Sequence, residues 1–181
     1  MRIAIVTDAW HPQRNGVVRV LSTLCDTLRT LGHQVMTVQP GDFPTIPCPS
    51  YPEIRLSLFA GAGLDRRLRD FAPDAIHLPT EGPLGWAGRR WCLRRRVPFT
   101  TAYHTKFPHY VRARTGLPLS WPYAVMRRFH APSAAVLCPS PSVHRELGQW
   151  GFANAVEWSH GVDSATFHPQ PKDFLDLPRP V

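Results

Sequence analysis

Apolar residues fall along this chain in short blocks separated by polar turns. Arg2–Thr7 is a continuous apolar run of the kind shown by a strand buried on both faces. Val17, Leu21, Leu24, Leu28 and Leu31 then recur at spacings of four and three, which predicts an amphipathic helix ended by Gly32. His33–Val38 reads as a second strand. A strand–helix–strand unit of this length is about the minimum for a right-handed parallel crossover.

The alternation continues. Ile54–Leu58, Ala75–Leu78, Pro98–Tyr103, Ala134–Cys138 and Ala155–Trp158 read as strands. Between them, Leu64–Phe71, Pro83–Arg95, Trp121–His130 and Pro141–Trp150 read as helices. The helix from Pro83 carries Leu84, Ala87 and Trp91 on one face. Ser120 is placed as the cap of one helix, and Ser140 with Pro141 as the cap and first position of another. Strands alternating with helices predict an α/β fold, a Rossmann-like doubly wound parallel sheet. Residues after Phe167 have no period and many prolines, and read as a linker.

Composition narrows this picture. The 181 residues suit a single domain with a genuine core, and 43% hydrophobic with 19% charged residues are values of a soluble globular protein. Twenty prolines punctuate the loops, and no repeat is visible. The basic side, 19 Arg and two Lys against 13 acidic residues, gives a net charge of +8 and favours anionic partners. Cys25, Cys48, Cys92 and Cys138 form no C-x-x-C pair and read as buried free thiols of a reducing compartment. No apolar run reaches the roughly 20 residues needed to span a bilayer, and Asp8 interrupts the first apolar run too early for a signal peptide. The expected location is cytoplasmic, with peripheral association on the inner face of a membrane compatible with the charge.

In an open parallel sheet, ligands bind beyond the carboxyl ends of the strands. Four such ends carry unusual residues: 8-DAWHPQRNG-16, 79-PTEGPLG-85, 104-HTKFPHY-110 and 159-SHGVD-163. The first has one glycine where a dinucleotide fold needs several, which disfavours nicotinamide and flavin cofactors. Gly16 still places backbone N–H groups and a positive helix end toward a cleft, and a tight turn capped by Asn15 explains it equally well. Glu81 reads most simply as an acid beside a positive helix terminus. His104, directly after a strand, points toward the cleft edge. His104 and His109 match no zinc spacing and H-E-x-x-H is absent, so no metal is expected. Arg89, Arg90, Arg94, Arg95 and Arg96 spread around one helix as a solvated face would. With Arg66, Arg67 and Arg69 they could also form a patch for anionic lipid headgroups. No nucleic-acid motif accompanies them, so nucleic acid is the weaker choice.

Together the segments 5-IVTDAWHPQRNGVVRVL-21, 47-PCPSYPEIRL-56, 73-PDAIHLPTEGPLG-85, 98-PFTTAYHTKFPHY-110 and 157-EWSHGVDSATFHP-169 resemble the amino-terminal half of retaining GT-B glycosyltransferases of family 4. The resemblance is to the branch with GDP-mannose-dependent α-mannosyltransferases and sulfoquinovosyl-diacylglycerol synthases. It implies one half of a GT-B fold, with an acceptor-side domain over residues 1–168 and a Pro-rich linker over 169–181. The donor-gripping second domain is absent from these residues. It implies transfer of a hexose from a nucleotide sugar (GDP-mannose or a UDP-sugar) to a lipid or glycan acceptor, without metal or other cofactor. Carried over, Asn15, Gly16, Val17 and His104 face the donor diphosphate and sugar, His104 being the catalytic candidate. Asp8, Glu81 and Tyr110 are acceptor-side candidates, and His160 and Asp163 hinge candidates. His160 stands where relatives usually carry Arg. Little activity is expected of the chain alone, whether as a fragment, a truncated gene product or a subunit paired with a separate carboxy-terminal domain. The competing class is a non-catalytic binding module for an anionic ligand, a membrane surface or a protein partner.

Overall fold

A computed structural model describes residues 1–49, 51–162, 164 and 166–169. In chain order the elements are β1 (Arg2–Val6), α1 (Gly16–Thr30), β2 (Gln34–Val38), a 3-10 turn (Pro40–Asp42), β3 (Thr45–Cys48), β4 (Tyr51–Ser57), α2 (Ala60–Phe71) and β5 (Ala75–Leu78). They continue with α3 (Pro83–Arg95), β6 (Thr100–Ala102), α4 (Phe107–Thr115), α5 (Ser120–His130), β7 (Ala135–Cys138), α6 (Pro141–Gln149) and β8 (Ala155–Glu157). Six strands form one sheet in the order β2-β1-β5-β6-β7-β8, and every pairing in it is parallel. This is the Rossmann-like α/β architecture of one half of a GT-B fold. The chain leaves β1 toward β2, then returns past β1 to β5. The switch point, where loops diverge and open a crevice, therefore lies between β1 and β5.

Strand β1 lies inside the sheet, between β2 and β5, and its Ala4, Ile5 and Val6 are fully buried. Strand alternation sends Ala4 and Val6 into a core shared with Val38, Leu64, Leu68, Ile76, Leu78 and Phe129, while Ile5 points the other way. A second cluster under the far strands joins Tyr103, Tyr123, Met126, Val136, Leu147 and Phe152. The buried row of α1 is Val18, Leu21 and Cys25. It sits one position off the stripe read from the leucines, because Leu31 lies beyond the last turn and is 66% exposed.

Other expectations change as well. The strand read at 54–58 is β4, and it leaves the parallel sheet to form an antiparallel hairpin with β3. Pro47 cannot donate to a ladder, and a two-stranded hairpin tolerates it because only one edge is shared. The 104–110 segment is not all loop, since α4 begins at Phe107. Ser120 is the first residue of α5 rather than its cap, and Leu119 precedes it with no side-chain bond. Ser140 does cap α6, accepting from the Val143 N–H, and Pro141 opens that helix. Cys25, Cys92 and Cys138 are buried free thiols, whereas Cys48 is partly exposed in the hairpin.

Helix α3 lies unusually close to its neighbours. A Cβ at Gly85 would stand 1.9 Å from the Thr80 carbonyl oxygen, and one at Gly88 would stand 2.8 Å from Leu78. Gly148 in α6, by contrast, has no atom within 4 Å of such a Cβ. Gly85→Ala is expected to cost about 3 kcal/mol through overpacking, and Gly148→Ala to gain about 1 kcal/mol from helix propensity. Urea unfolding of the two variants beside the parent checks both signs.

Candidate active site

The residues singled out in the sequence come from loops after β1, β5, β6 and β8, at the carboxyl edge of the parallel sheet. At the switch point the crevice is closed by Asp8. Its carboxylate accepts from the Leu84 N–H at 2.8 Å, the Gly85 N–H at 3.1 Å and the Thr80 hydroxyl at 3.0 Å. The Asp8 N–H donates back to the same Thr80 oxygen at 2.7 Å. The carboxylate thus neutralises the free N–H groups and positive dipole of α3. Gly82 is required there, because a Cβ would lie 2.4 Å from the Asp8 carboxyl carbon. Burial raises the Asp8 pKa above its usual value, opposed by the bonds from Leu84, Gly85 and Thr80. Asp8, expected on the acceptor side, is turned inward with its oxygens engaged by the chain itself.

The start of α1 is built the other way. Its loop is held from within: Gln13 is buried, donates to the Asp8 carbonyl at 3.1 Å and accepts from the Asn15 amide at 3.2 Å. The Asn15 side-chain oxygen caps the helix by accepting from the Val18 N–H at 3.0 Å. That leaves the N–H groups of Gly16 and Val17, which have no acceptor within the helix, at its open end. Gly16 is exposed, and a Cβ built on it meets nothing within 4 Å. The Asn15–Gly16 pair thus makes a capped turn, and among the described residues the Gly16 and Val17 amides have no hydrogen-bond acceptor.

His104 follows β6 and sits in a cluster of aromatic rings. Its ring centroid is 5.4 Å from that of His160 and 6.3 Å from that of Trp158, and Trp158 lies 6.5 Å from His77. Burial, then the neighbouring His160, pushes the His104 pKa down to about 4. Burial, then His104, pushes that of His77 down to about 3. The His160 pKa is also lowered by burial. These imidazoles are neutral at neutral pH. The His104 Nε2 atom is buried and has no hydrogen-bond partner among the described residues. His160 thus joins the site beside His104, while Asp163 lies outside the described residues.

Glu81 does not stand free. One oxygen lies 3.1 Å from Nε2 of the fully buried His130, whose Nδ1 meets the Thr101 hydroxyl at 2.8 Å. The Glu81 side chain is 27% exposed. Tyr110 projects from α4 and is 56% exposed. The start of α4 is anchored to α6 by Glu146, which meets Lys106 at 2.5 Å, His109 at 3.0 Å and the Tyr123 hydroxyl at 2.8 Å. No local pattern could have revealed His130, Glu146 or Trp158, because their partners lie far away in sequence. A groove of about 250 Å³ separates the loop after β1 from the β3–β4 hairpin, lined by Trp10, His11, Phe43, Thr45 and Arg55 among others. Among the described residues, no three His, Cys, Asp or Glu side chains are grouped to hold a metal ion.

Comparison with known proteins identifies the family to which this parallel sheet and its strand-end loops belong. The Glycosyltransferase Family 4 profile matches residues 14–166, and the chain belongs to that family. It is 27% identical to the GDP-mannose-dependent alpha-mannosyltransferase of Mycobacterium tuberculosis, over 96% of this chain and 50% of that protein. It is 28% identical to the sulfoquinovosyl transferase SQD2 of Arabidopsis thaliana, over 79% of this chain and 31% of that protein. With the alpha-monoglucosyldiacylglycerol synthase of Streptococcus pneumoniae it shares 29% identity, over 83% of this chain and 38% of that protein. The chain spans about half the length of the mannosyltransferases it matches.

The depressed histidines set a pH dependence. The unfolded chain takes up these protons near pH 6.5, whereas folded His104 and His77 refuse them down to about 4 and about 3. Their contribution to stability is complete above 6.5 and is lost progressively as the pH falls from there, toward about 4 for His104 and about 3 for His77. The urea midpoint should drop across this window, and His77→Gln should flatten the slope.

Proposed function

We propose that this chain is the acceptor-side half, residues 1–168, of a retaining glycosyltransferase. It moves a hexose from a nucleotide sugar, GDP-mannose or a UDP-sugar, to a lipid or glycan acceptor. The observation that carries the reading is the contrast between two helix N-termini at one cleft. That of α3 is filled by Asp8, and that of α1 is left open by Gly16. The family membership and the names of the relatives support the donor and acceptor classes.

In this reaction the bond from the anomeric carbon to the diphosphate oxygen breaks, and its electron pair leaves with the nucleoside diphosphate. The acceptor hydroxyl attacks from the same face, and its proton passes to the departing phosphate oxygen. The Gly16 and Val17 N–H groups supply preorganised donors to the developing negative charge. His104, kept neutral by burial, offers its unpartnered Nε2 to a sugar hydroxyl and fixes the ring's pose. A protonated imidazole there would place a positive charge beside an oxocarbenium-like centre, so neutrality serves the chemistry. The second half of the fold, following the 169–181 segment, would hold the nucleotide. Glu81 and Tyr110 act as acceptor contacts in this reading, which is supported by their exposure and by the room in the groove beside Trp10 and Arg55.

The test pairs this chain with the carboxy-terminal half of a family relative and measures transfer from GDP-mannose and from UDP-sugars. His104→Ala should lower the rate about a hundredfold. Gly16→Asp should do the same by setting a carboxylate where the diphosphate leaves, while keeping the parent's stability because the position is open. Transfer unchanged in both variants would overturn the assignment.

A further inference from the structure

The basic surplus of this chain has an address. Between Glu81 and Glu146 there is no acidic residue, while the same stretch holds eleven of the 21 basic ones. The rest of the chain carries more acid than base. The stretch contains α3, α4 and α5.

Three of the eight arginines of the expected patch joining α2 to α3 are ion-paired. Arg67 pairs with Asp42 at 3.2 Å, and Arg69 and Arg95 both pair with Asp65 at 2.8 Å. Two others of that patch, Arg90 and Arg94, turn to a groove of about 470 Å³ between α3 and α5, lined by Trp86, Arg90, Leu93, Arg94, Val125 and Arg128. Arg89 holds its walls together. Its guanidinium donates to the backbone carbonyls of Phe129 at 3.0 Å and Arg128 at 2.8 Å, and lies 5.3 Å over the Trp86 ring. No carboxylate lines the groove, and Arg90, Arg94 and Arg128 have no ion-pair partner among the described residues.

The groove is also apolar. Leu93 is 42% and Val125 57% exposed. Trp121, one turn before Val125 on α5, is 67% exposed. Aliphatic side chains and an indole beside unpaired guanidinium groups form a surface suited to the boundary between lipid headgroups and acyl chains. Arginine stems there lie along apolar surface while their heads bind phosphodiesters in bidentate fashion. A nucleic acid would use the charge but leave Leu93, Val125 and Trp121 exposed to water. Among the described residues no helix is long and apolar enough to cross a membrane, so contact would be made from the surface.

We propose that the α3–α5 groove docks this chain on a membrane leaflet rich in anionic phospholipid, with headgroup phosphates between Arg90, Arg94 and Arg128 and with Trp121 and Val125 entering the interface. The proposal stands apart from the transfer reaction, and its test needs no sugar nucleotide. Co-sedimentation of the 181-residue chain is measured with vesicles of phosphatidylcholine alone and of phosphatidylcholine mixed with phosphatidylglycerol, over a salt series.

Binding should require phosphatidylglycerol and weaken as salt rises. The triple variant Arg90→Gln, Arg94→Gln, Arg128→Gln should bind roughly a hundredfold more weakly, since each arginine near an anionic surface contributes about fivefold. A control with Arg29→Gln and Arg66→Gln, outside the groove, should keep most of the affinity. Trp121→Ser with Val125→Ser should weaken vesicle binding severalfold, and circular dichroism verifies that each variant is folded. Equal binding to neutral vesicles would overturn the proposal, as would a triple variant no weaker than the control. Tighter binding to duplex DNA than to anionic vesicles, unaffected by the Trp121 and Val125 changes, would assign the groove to nucleic acid instead.

Discussion

The carboxylate of Asp8 is the fixed point of this fold. It follows the buried strand β1 and meets the first turn of α3 where the strand order reverses, between β1 and β5. A buried charge is costly unless its lone pairs are used, and here two backbone N–H groups and one hydroxyl use them. The same contact consumes the anion-binding capacity that the switch point of an α/β sheet normally offers. At this cleft the start of α3 is therefore occupied, whereas the start of α1 is left uncrowded at Gly16.

The glycines around α3 follow from that constraint. Gly82 makes room for Asp8, Gly85 for the Thr80 carbonyl, and Gly88 for Leu78. The helix can approach the sheet closely enough for its amides to reach a strand-end carboxylate only because three side chains are missing. Gly16 answers a different need, since nothing crowds it within the chain. Identical residues thus serve internal packing in one helix and an open face in the other.

Much of the architecture was legible in the sequence because strands buried on both faces and helices with one apolar stripe leave strong periodic signals. The six parallel strands, the Pro141 helix start and the Gly32 stop follow such local rules. The β3–β4 hairpin was not legible, because prolines around 44–52 mark turns and hide short strands alike. At the site, Asn15 and His104 could be placed by their strand-end positions. The inward turn of Asp8 could not, since its partners lie more than 70 residues away. The same holds for the separation of charge: the arginine run of α3 is visible, but whether each guanidinium is paired depends on Asp42 and Asp65 from other elements.

Three consecutive residues at the end of α5 join regions that otherwise have little in common. Arg128 lines the basic groove, Phe129 is buried in the main core, and His130 reaches Glu81 at the cleft edge. Arg89 grips the first two by their carbonyls, and Thr101 grips the third by its hydroxyl. This makes the turn a short strut with no slack residue in it. A body resting on the groove would therefore bear on the same turn that holds Glu81, as a load on a plinth bears on what shares it.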